Sequence, residues 1–138
     1  MKNYFEPQMD AQELRGVSEL ALAHIGDGVF ELLVRTWLCS GHAAATNKNL
    51  HKLTVSYVQA PAQAAFVEAL LPLLTEEETA VYKRGRNAHS HAAPKNATPG
   101  QYARATGLET LFGYLYLSGQ TARVNELFCA GLEAQDAV

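Results

Sequence analysis

Two acidic residues lie in unusually apolar stretches of the chain, each with small neighbours. Asp27 stands between two glycines, and Glu109 is the only charged residue of segment 107–119. An unpaired carboxylate is costly to bury, so such an acid needs a cation, a hydrogen-bond network or a reaction. Small neighbours would let two helix backbones approach until the carboxylates share a ligand. Carboxylate oxygens suit Mg²⁺, which can activate water and neutralise charge on a phosphodiester.

The same acids also have ordinary structural interpretations. Asp27, Glu31 and Arg35 are spaced as an exposed ladder on one helix, and we favour that interpretation for the Glu31–Arg35 pair only. Glu109 has the alternative of a core acid bonded to a tyrosine hydroxyl or to a helix end. A further alternative is an unrelated helical metalloprotein with the ligands His24, Asp27, Glu31 and Glu109. That alternative lacks the paired Glu-x-x-His motifs of carboxylate-bridged di-iron sites.

The distribution of charge favours a polyanionic partner, although the net charge is −3. Residues 32–67 and 79–108 contain no Asp or Glu, yet they hold eight of the eleven Lys and Arg. A slightly acidic total can therefore hide a basic surface. Buried acids beside such a surface indicate metal-assisted phosphodiester hydrolysis. The ordinary alternative is that solvated helix faces vary in sign by chance.

Length and composition favour a single globular domain over residues 1–138, with 48% apolar residues. No basic, apolar leader opens the chain, and its most apolar stretches carry charges or Pro72, so we expect neither a secretory signal nor a membrane span. Cys39 and Cys129 lie in apolar helical contexts and are expected to be reduced core thiols. These features predict a cytosolic protein.

Every periodic segment has helical spacing, which predicts a compact all-α bundle. The predicted helices are 19–40, 47–58, 60–74, 76–86, 99–118 and 121–134, with a loop over 87–97. Ser18, Thr75 and Thr98 are the expected N-terminal caps. The first helix carries the stripe Leu22, Ile25, Val29, Leu32 and Thr36, and the third is expected to bury Phe66, Leu70 and Leu73. The two helices that carry Asp27 and Glu109 are the most apolar and should be central.

Several motifs resemble one enzyme family. Residues 24–32, His-Ile-Gly-Asp-Gly-Val-Phe-Glu-Leu, resemble the signature of the ribonuclease III catalytic domain, and residues 109–117 resemble its second acidic motif. Residues 50–53, 84–91 and 94–96 are similar to the short bacterial form, Mini-ribonuclease III, which lacks a double-stranded RNA-binding domain. The resemblance extends from about Leu20 to Leu117.

The resemblance implies a homodimer of the ribonuclease III endonuclease-domain type that cuts double-stranded RNA with Mg²⁺. Each subunit would cut one strand, leaving 5′-phosphate and 3′-hydroxyl ends and a short 3′ overhang. The implied substrate of the short form is precursor ribosomal RNA of the large subunit (23S), and a ribosomal-protein helper is compatible with that role. By position, Asp27 and Glu109 fall on the catalytic, metal-binding acids. His24 falls on a usually aromatic position at the dimer interface.

Two positions depart from full-length members of the family. Ala23 stands where they carry a Glu, four residues before Asp27, and Thr106 stands where they carry an Asp, three residues before Glu109. The short form resembles this chain at both positions. Water, Thr106 or Glu31 are the candidates to complete the shell of the metal. A catalytically silent RNA- or ribosome-binding relative of the same fold is the alternative function.

The candidates for RNA contact are basic, imidazole and amide side chains in or beside the acid-free stretches. A-form RNA is read mostly through its shape, phosphates and 2′-hydroxyls, which donors on a basic loop can reach. The candidates are Lys48, Lys52, Arg84, Arg86, Asn87, His89, His91, Lys95 and Asn96. The two histidines are also spaced for zinc, but no cysteine or second histidine pair lies near them in sequence, so we do not favour a zinc site.

Overall fold

A computed structural model describes residues 1–42, 47–88 and 93–136, and every regular element in these ranges is helical. The helices are α1 (Ala11–Arg15), α2 (Glu19–Trp37), α3 (Asn47–Val58), α4 (Ala60–Leu70), α5 (Glu76–Asn87), α6 (Pro99–Leu117) and α7 (Thr121–Asp136). The predicted all-α fold is confirmed. Within the described ranges, no helix is both long and apolar enough to span a bilayer.

Side-chain caps fix where the long helices begin. The Ser18 hydroxyl accepts a hydrogen bond from the first turn of α2. Thr75 and Glu78 form a capping box at α5, and Thr98 forms one with Gln101 at α6. Each cap stabilises its helix by about 1 kcal/mol, because it satisfies backbone donors that have no partner inside the helix. All three caps were predicted correctly.

Helix α1 is an element that the sequence analysis missed. The Asp10 carboxylate accepts from the Glu13 backbone N–H at 2.8 Å, and the Glu13 carboxylate accepts from the Asp10 N–H at 3.1 Å. This capping box was visible as an acidic pair three residues apart. Five residues are too few to show a helical period, which is why the pattern did not reveal α1.

Helix α6 forms the centre of the bundle, as expected for the helix that carries Glu109. It packs against α2, α4 and α5. Leu108, Leu111, Phe112 and Leu115 are all fully buried along it. Those four residues share one face, but Gly107, Thr110 and Gly113 are buried on other sides of the helix, so neighbouring helices cover α6 all around.

Helices α2 and α6 approach so closely that their contact requires glycine. A Cβ atom on Gly26 would lie 1.6 Å from the carbonyl oxygen of Glu109, and one on Gly113 would lie 1.9 Å from the carbonyl oxygen of Leu22. No side chain fits at such distances. A Cβ atom on Gly28, in contrast, would have no described heavy atom within 4 Å. Gly26 and Gly113 are therefore the residues that allow this contact.

The buried face of α2 differs from the predicted stripe. Leu32 is 58% exposed, whereas Phe30 and Val34 are each 1% exposed. The reason is that Gly26 contacts α6 and therefore faces the core. Phe30 and Val34 lie one and two turns further along the same side of α2, so they face the core as well. Ile25 and Val29 remain half-buried at the edge.

Three further expectations about burial are wrong. Leu73 is 51% exposed, because α4 ends at Leu70 and continues only as the 3₁₀ turn Leu71–Leu73. Cys39 and Cys129 are free thiols, as predicted, but both are exposed rather than in the core. Cys39 follows the last turn of α2, and Cys129 lies on the outer side of α7, next to the buried Phe128.

Candidate active site

The side chains of Asp27 and Glu109 meet where α2 contacts α6. Gly26 touches the backbone of Glu109, so the next residue along α2 is placed beside the Glu109 side chain. The two carboxyl groups are close enough to form a hydrogen bond with each other. Asp27 is exposed at the surface, whereas Glu109 is more buried. The structure thus brings together two acids that are far apart in the sequence.

The surroundings of Glu109 favour its protonated form. Burial, and then the negative charge of Asp27, raise the pKa of Glu109 to about 8, and the hydrogen bond between the two carboxyls acts in the same direction. The side-chain amide of Gln63 acts in the opposite direction and lowers this pKa. Two carboxylates in contact ionise together only at high cost, unless a cation lies beside them. The pair therefore either shares a proton or binds a positive ion.

The stability of the metal-free protein should fall as the pH rises, because of Glu109. Its pKa rises from 4.5 to about 8 on folding, so its stabilising contribution is complete below 4.5 and is lost as the pH rises through 8. We expect this group alone to lower the free energy of unfolding by about 2–4 kcal/mol between about pH 5 and about pH 9. Glu109→Gln should remove that part of the dependence. Urea denaturation of both proteins in chelator measures it, and equal pH dependence would contradict the prediction.

Gln63 of α4 belongs to the site, although the sequence analysis did not single it out. It is 1% exposed and its amide faces Glu109. The available signal was its spacing, since Gln63 shares one helical face with Phe66, Val67 and Leu70. A glutamine on an otherwise apolar buried face must find a polar partner. Glu109 is the polar group that the amide of Gln63 influences, so the groups around Glu109 are Asp27 and Gln63 rather than a tyrosine hydroxyl.

The positions that depart from full-length ribonuclease III add no acid to the site. Ala23 is buried and carries no donor or acceptor in its side chain. The Thr106 hydroxyl donates to the Tyr102 carbonyl at 3.0 Å, within α6. Ala23 and Thr106 are both buried in the bundle, so each residue also contributes to its packing.

The structure agrees with the interpretation of Glu31 and Arg35 as an ion pair on the surface of α2. Glu31 and Arg35 form an exposed i,i+4 ion pair at 3.4 Å, and His24 is exposed on α2. In the part of the chain that the structure describes, no group of three His, Cys, Asp or Glu side chains could hold a metal ion. The four-ligand metalloprotein alternative therefore has no support here. The described site offers two carboxylates.

The fold neutralises part of the basic surface that the sequence suggested. Three cations of the acid-free stretches pair with acids from other segments, in the ion pairs Arg35–Glu31, Arg84–Glu19 and Arg104–Glu68. Four other cations have no carboxylate within 4.0 Å among the described residues. They are Lys52, Lys83, Arg86 and Lys95. The cationic surface is therefore smaller than the sequence implied.

The individual RNA candidates differ in how they are held. Arg86 donates to the Asn87 side chain at 3.2 Å, and its guanidinium lies 5.8 Å from the centre of the Tyr82 ring. Asn96 donates to the Gln59 side chain at 3.4 Å, so Lys95 and Asn96 lie beside the end of α4 that carries Gln63. His89 and His91 lie outside the described residues. Lys48 belongs to α3, but its side chain lies outside the description.

Comparison with known proteins identifies the family. The family model of the ribonuclease III domain matches residues 20–120, which include both acids. The chain belongs to the ribonuclease III domain family. It is accordingly an endoribonuclease, and enzymes of this family depend in general on a divalent metal.

Its relatives confirm the resemblance to the short form of ribonuclease III. Mini-ribonuclease 3 of Symbiobacterium thermophilum is 47% identical over 114 residues, which cover 83% of this chain and 87% of that protein. Mini-ribonuclease 3 of Enterococcus faecalis is 46% identical over 120 residues, covering 86% and 88%. The crystal structure of a protein from Fusobacterium nucleatum is similar to this fold, with a TM-score of 0.77. The two sequences are 25% identical, and the match covers 91% of this chain and 98% of that one.

Proposed function

We propose that this ribonuclease III-family protein is a Mg²⁺-dependent endoribonuclease that cleaves double-stranded RNA, with Asp27 and Glu109 as catalytic metal ligands. The observation that carries the proposal is the contact between the two carboxyl groups at the junction of α2 and α6. Two carboxylates fit Mg²⁺, which commonly takes one or two and completes its shell with water and phosphate oxygens. When bound, the ion would activate water for attack and neutralise charge on the phosphodiester.

The two acids contribute differently to such a site. Asp27 is exposed and can be reached by a phosphate of the RNA, whereas Glu109 is recessed and is held by its contacts with Asp27 and Gln63. Since the pKa of Glu109 is raised to about 8, a divalent cation must displace its proton. Metal affinity should therefore rise with pH across the neutral range.

The physiological substrate that we propose is precursor 23S ribosomal RNA in the cytosol, with or without a ribosomal-protein helper. This part of the proposal is supported by the similarity to Mini-ribonuclease 3 rather than by geometry. The catalytically silent RNA- or ribosome-binding relative remains the second candidate. The lack of acids at Ala23 and Thr106 leaves it open, whereas the retention of Asp27 and Glu109 argues against it.

Incubation with duplex RNA tests the activity directly. We expect Mg²⁺-dependent cutting of both strands, with 5′-phosphate and 3′-hydroxyl ends, a short 3′ overhang and no cutting in chelator. A single strand of the same sequence should resist cleavage. Duplex that is bound but never cut would favour the silent relative, and cutting in chelator would contradict the metal site.

Unpaired cations should dominate the contact with RNA. We expect Arg86→Ala and Lys95→Ala each to weaken duplex binding and to reduce the slope of log affinity against log salt by about 1, because fewer counterions are released. Arg84→Ala should have a smaller effect, since Arg84 already pairs with Glu19 at 3.5 Å. Filter binding over a range of salt concentrations measures the slopes. Lys2→Ala, an exposed cation outside the segment that matches the ribonuclease III domain, is the control and should leave the slope unchanged.

We propose that a second copy of the chain covers an apolar surface on α2. Leu20 and Leu32 are 43% and 58% exposed, and Phe5 is 79% exposed. A groove between α2 and the end of α6 is lined by Phe5, Ile25, Val29, Leu32, Leu33 and Tyr116. Contiguous apolar surface of this kind is typical of a protein interface. His24 is exposed on the same helix and would lie in or beside that interface.

A further inference from the structure

We infer that Gln63 is a positioning residue whose buried amide orients the carboxylate of Glu109 toward Asp27. The inference rests on the proposed function, because it assigns Gln63 a role at the same metal site. Gln63 would not touch the RNA or the reacting atoms. It would act through Glu109.

The side chain of Gln63 is buried in the core. It is 1% exposed, on the face of α4 that also buries Phe66 and Val67. A buried amide without a hydrogen bond destabilises the fold by about 1–3 kcal/mol, so such residues normally have a partner. The Gln63 side chain is therefore in an environment where a polar contact matters more than it would at the surface.

The side-chain amide of Gln63 lies beside Glu109. Its Nε2 atom is buried and has no hydrogen-bond partner among the described residues. The amide nevertheless lowers the pKa of the Glu109 carboxyl. The two observations together describe a buried donor that is available to the carboxylate of Glu109.

The first turn of α4, which carries Gln63, is held in place by hydrogen bonds and by packing. The Gln63 backbone N–H donates to the Gln59 carbonyl at 3.0 Å, in the first turn of the helix. The Gln59 side chain in turn accepts from Asn96, so the loop before α6 is tied to the same turn. Because Phe66 and Val67 anchor α4 in the core, the position of the amide is set by packing rather than by solvent.

The composition of the site gives this contact its importance. Ala23 offers no polar side-chain atom to the site, and the Thr106 hydroxyl bonds within its own helix. Glu109 therefore has few groups to fix its orientation. Partners that orient a metal ligand typically contribute 10- to 100-fold to metal affinity or activity, on the order measured for other metal sites.

Binding of Mn²⁺ to the purified protein, measured by the electron paramagnetic resonance of free Mn²⁺, tests the inference without relying on activity. Gln63→Met keeps the length of the side chain and removes the amide, and we expect the dissociation constant to rise about tenfold. The matched control is Thr54→Val, another buried polar residue at 5% exposure, whose hydroxyl bonds only to the Leu50 carbonyl of its own helix. The control should bind Mn²⁺ as the wild type does. Unchanged affinity in Gln63→Met would overturn the inference.

A comparison in the Glu109→Gln background separates positioning from a merely structural role. In chelator, Gln63→Met should lower the melting temperature less in that background than in the wild type, because the carboxyl that the amide orients is already gone. An equal loss in both backgrounds would assign Gln63 to packing alone and overturn the inference. If Gln63→Met does not fold, Gln63→Asn replaces it in both measurements, the Mn²⁺ affinity and the melting temperature. Asparagine keeps the amide but is shorter by one methylene, so the amide no longer reaches Glu109.

Failure of the metal site itself would look different. If Asp27→Asn and Glu109→Gln bind Mn²⁺ as tightly as the wild type, the proposed function fails and the role of Gln63 fails with it. If those two variants lose Mn²⁺ and Gln63→Met does not, only the inference about Gln63 fails.

Discussion

Glu109→Gln is expected to reduce Mg²⁺-dependent cleavage of duplex RNA by about a thousandfold or more while the protein stays folded. Glutamine has the shape of glutamate but not its charge, so the substitution removes half of the two-carboxylate site. The described residues offer no third acid there to compensate. At neutral pH the Glu109 carboxyl stays protonated in the folded protein although it would ionise in the unfolded one, so a variant without this carboxyl should be at least as stable as the wild type.

Initial rates on end-labelled duplex, at saturating Mg²⁺, measure this loss. Glu126→Gln is the matched control, because Glu126 lies on α7, which carries no proposed metal ligand, and pairs with Arg123 on the surface. That control should keep its activity to within about twofold, as expected for an exposed ion pair. Full activity in Glu109→Gln would remove the proposed mechanism. An equal loss in both variants would indicate a general effect of charge rather than a defined site.

The local features of this protein could be predicted from its sequence. Capping side chains determine the starts of the long helices, and residues such as Thr75 and Thr98 show this in a few positions of sequence. The pairing of Asp27 with Glu109 could also be anticipated, since an acid among apolar residues needs a partner. In the first case the physical requirement involves only the residue and its immediate neighbours. In the second it says only that a partner is needed, and the resemblance to ribonuclease III indicated which residue that partner is.

Features that depend on tertiary packing could not be predicted in this way. The glycine contact at Gly26 rotates the buried face of α2 away from the apolar stripe, so Leu32 became exposed. The role of Gln63 depends on α4 lying against α6, which no local pattern shows. Arg84 was predicted to contact RNA, but the structure pairs it with Glu19 of another helix, which no local pattern shows. Each of these outcomes follows from which helices touch.

The contact between α2 and α6 also predicts which glycine is indispensable. Gly26→Ala is expected to lower the free energy of unfolding by about 4 kcal/mol or more. The new methyl group would lie 1.6 Å from the Glu109 carbonyl oxygen, which is backbone and cannot rotate away. A loss of that size approaches the whole stability of a typical domain. Soluble yield and thermal denaturation followed by circular dichroism measure it.

Gly28→Ala is the control, and it should change stability in the opposite direction. Gly28 is exposed on the same helix, and a methyl group there would meet no described atom of its own chain within 4 Å. Since Gly28 also lines the groove that we propose a second copy covers, both variants are compared at a concentration at which the protein is monomeric. Alanine favours a helix over glycine by about 1 kcal/mol, so this variant should melt at the same temperature as the wild type or higher. Equal melting temperatures for the two variants would contradict the close contact. Since that contact is what places Asp27 beside Glu109, any folded fraction of Gly26→Ala should also bind Mn²⁺ poorly.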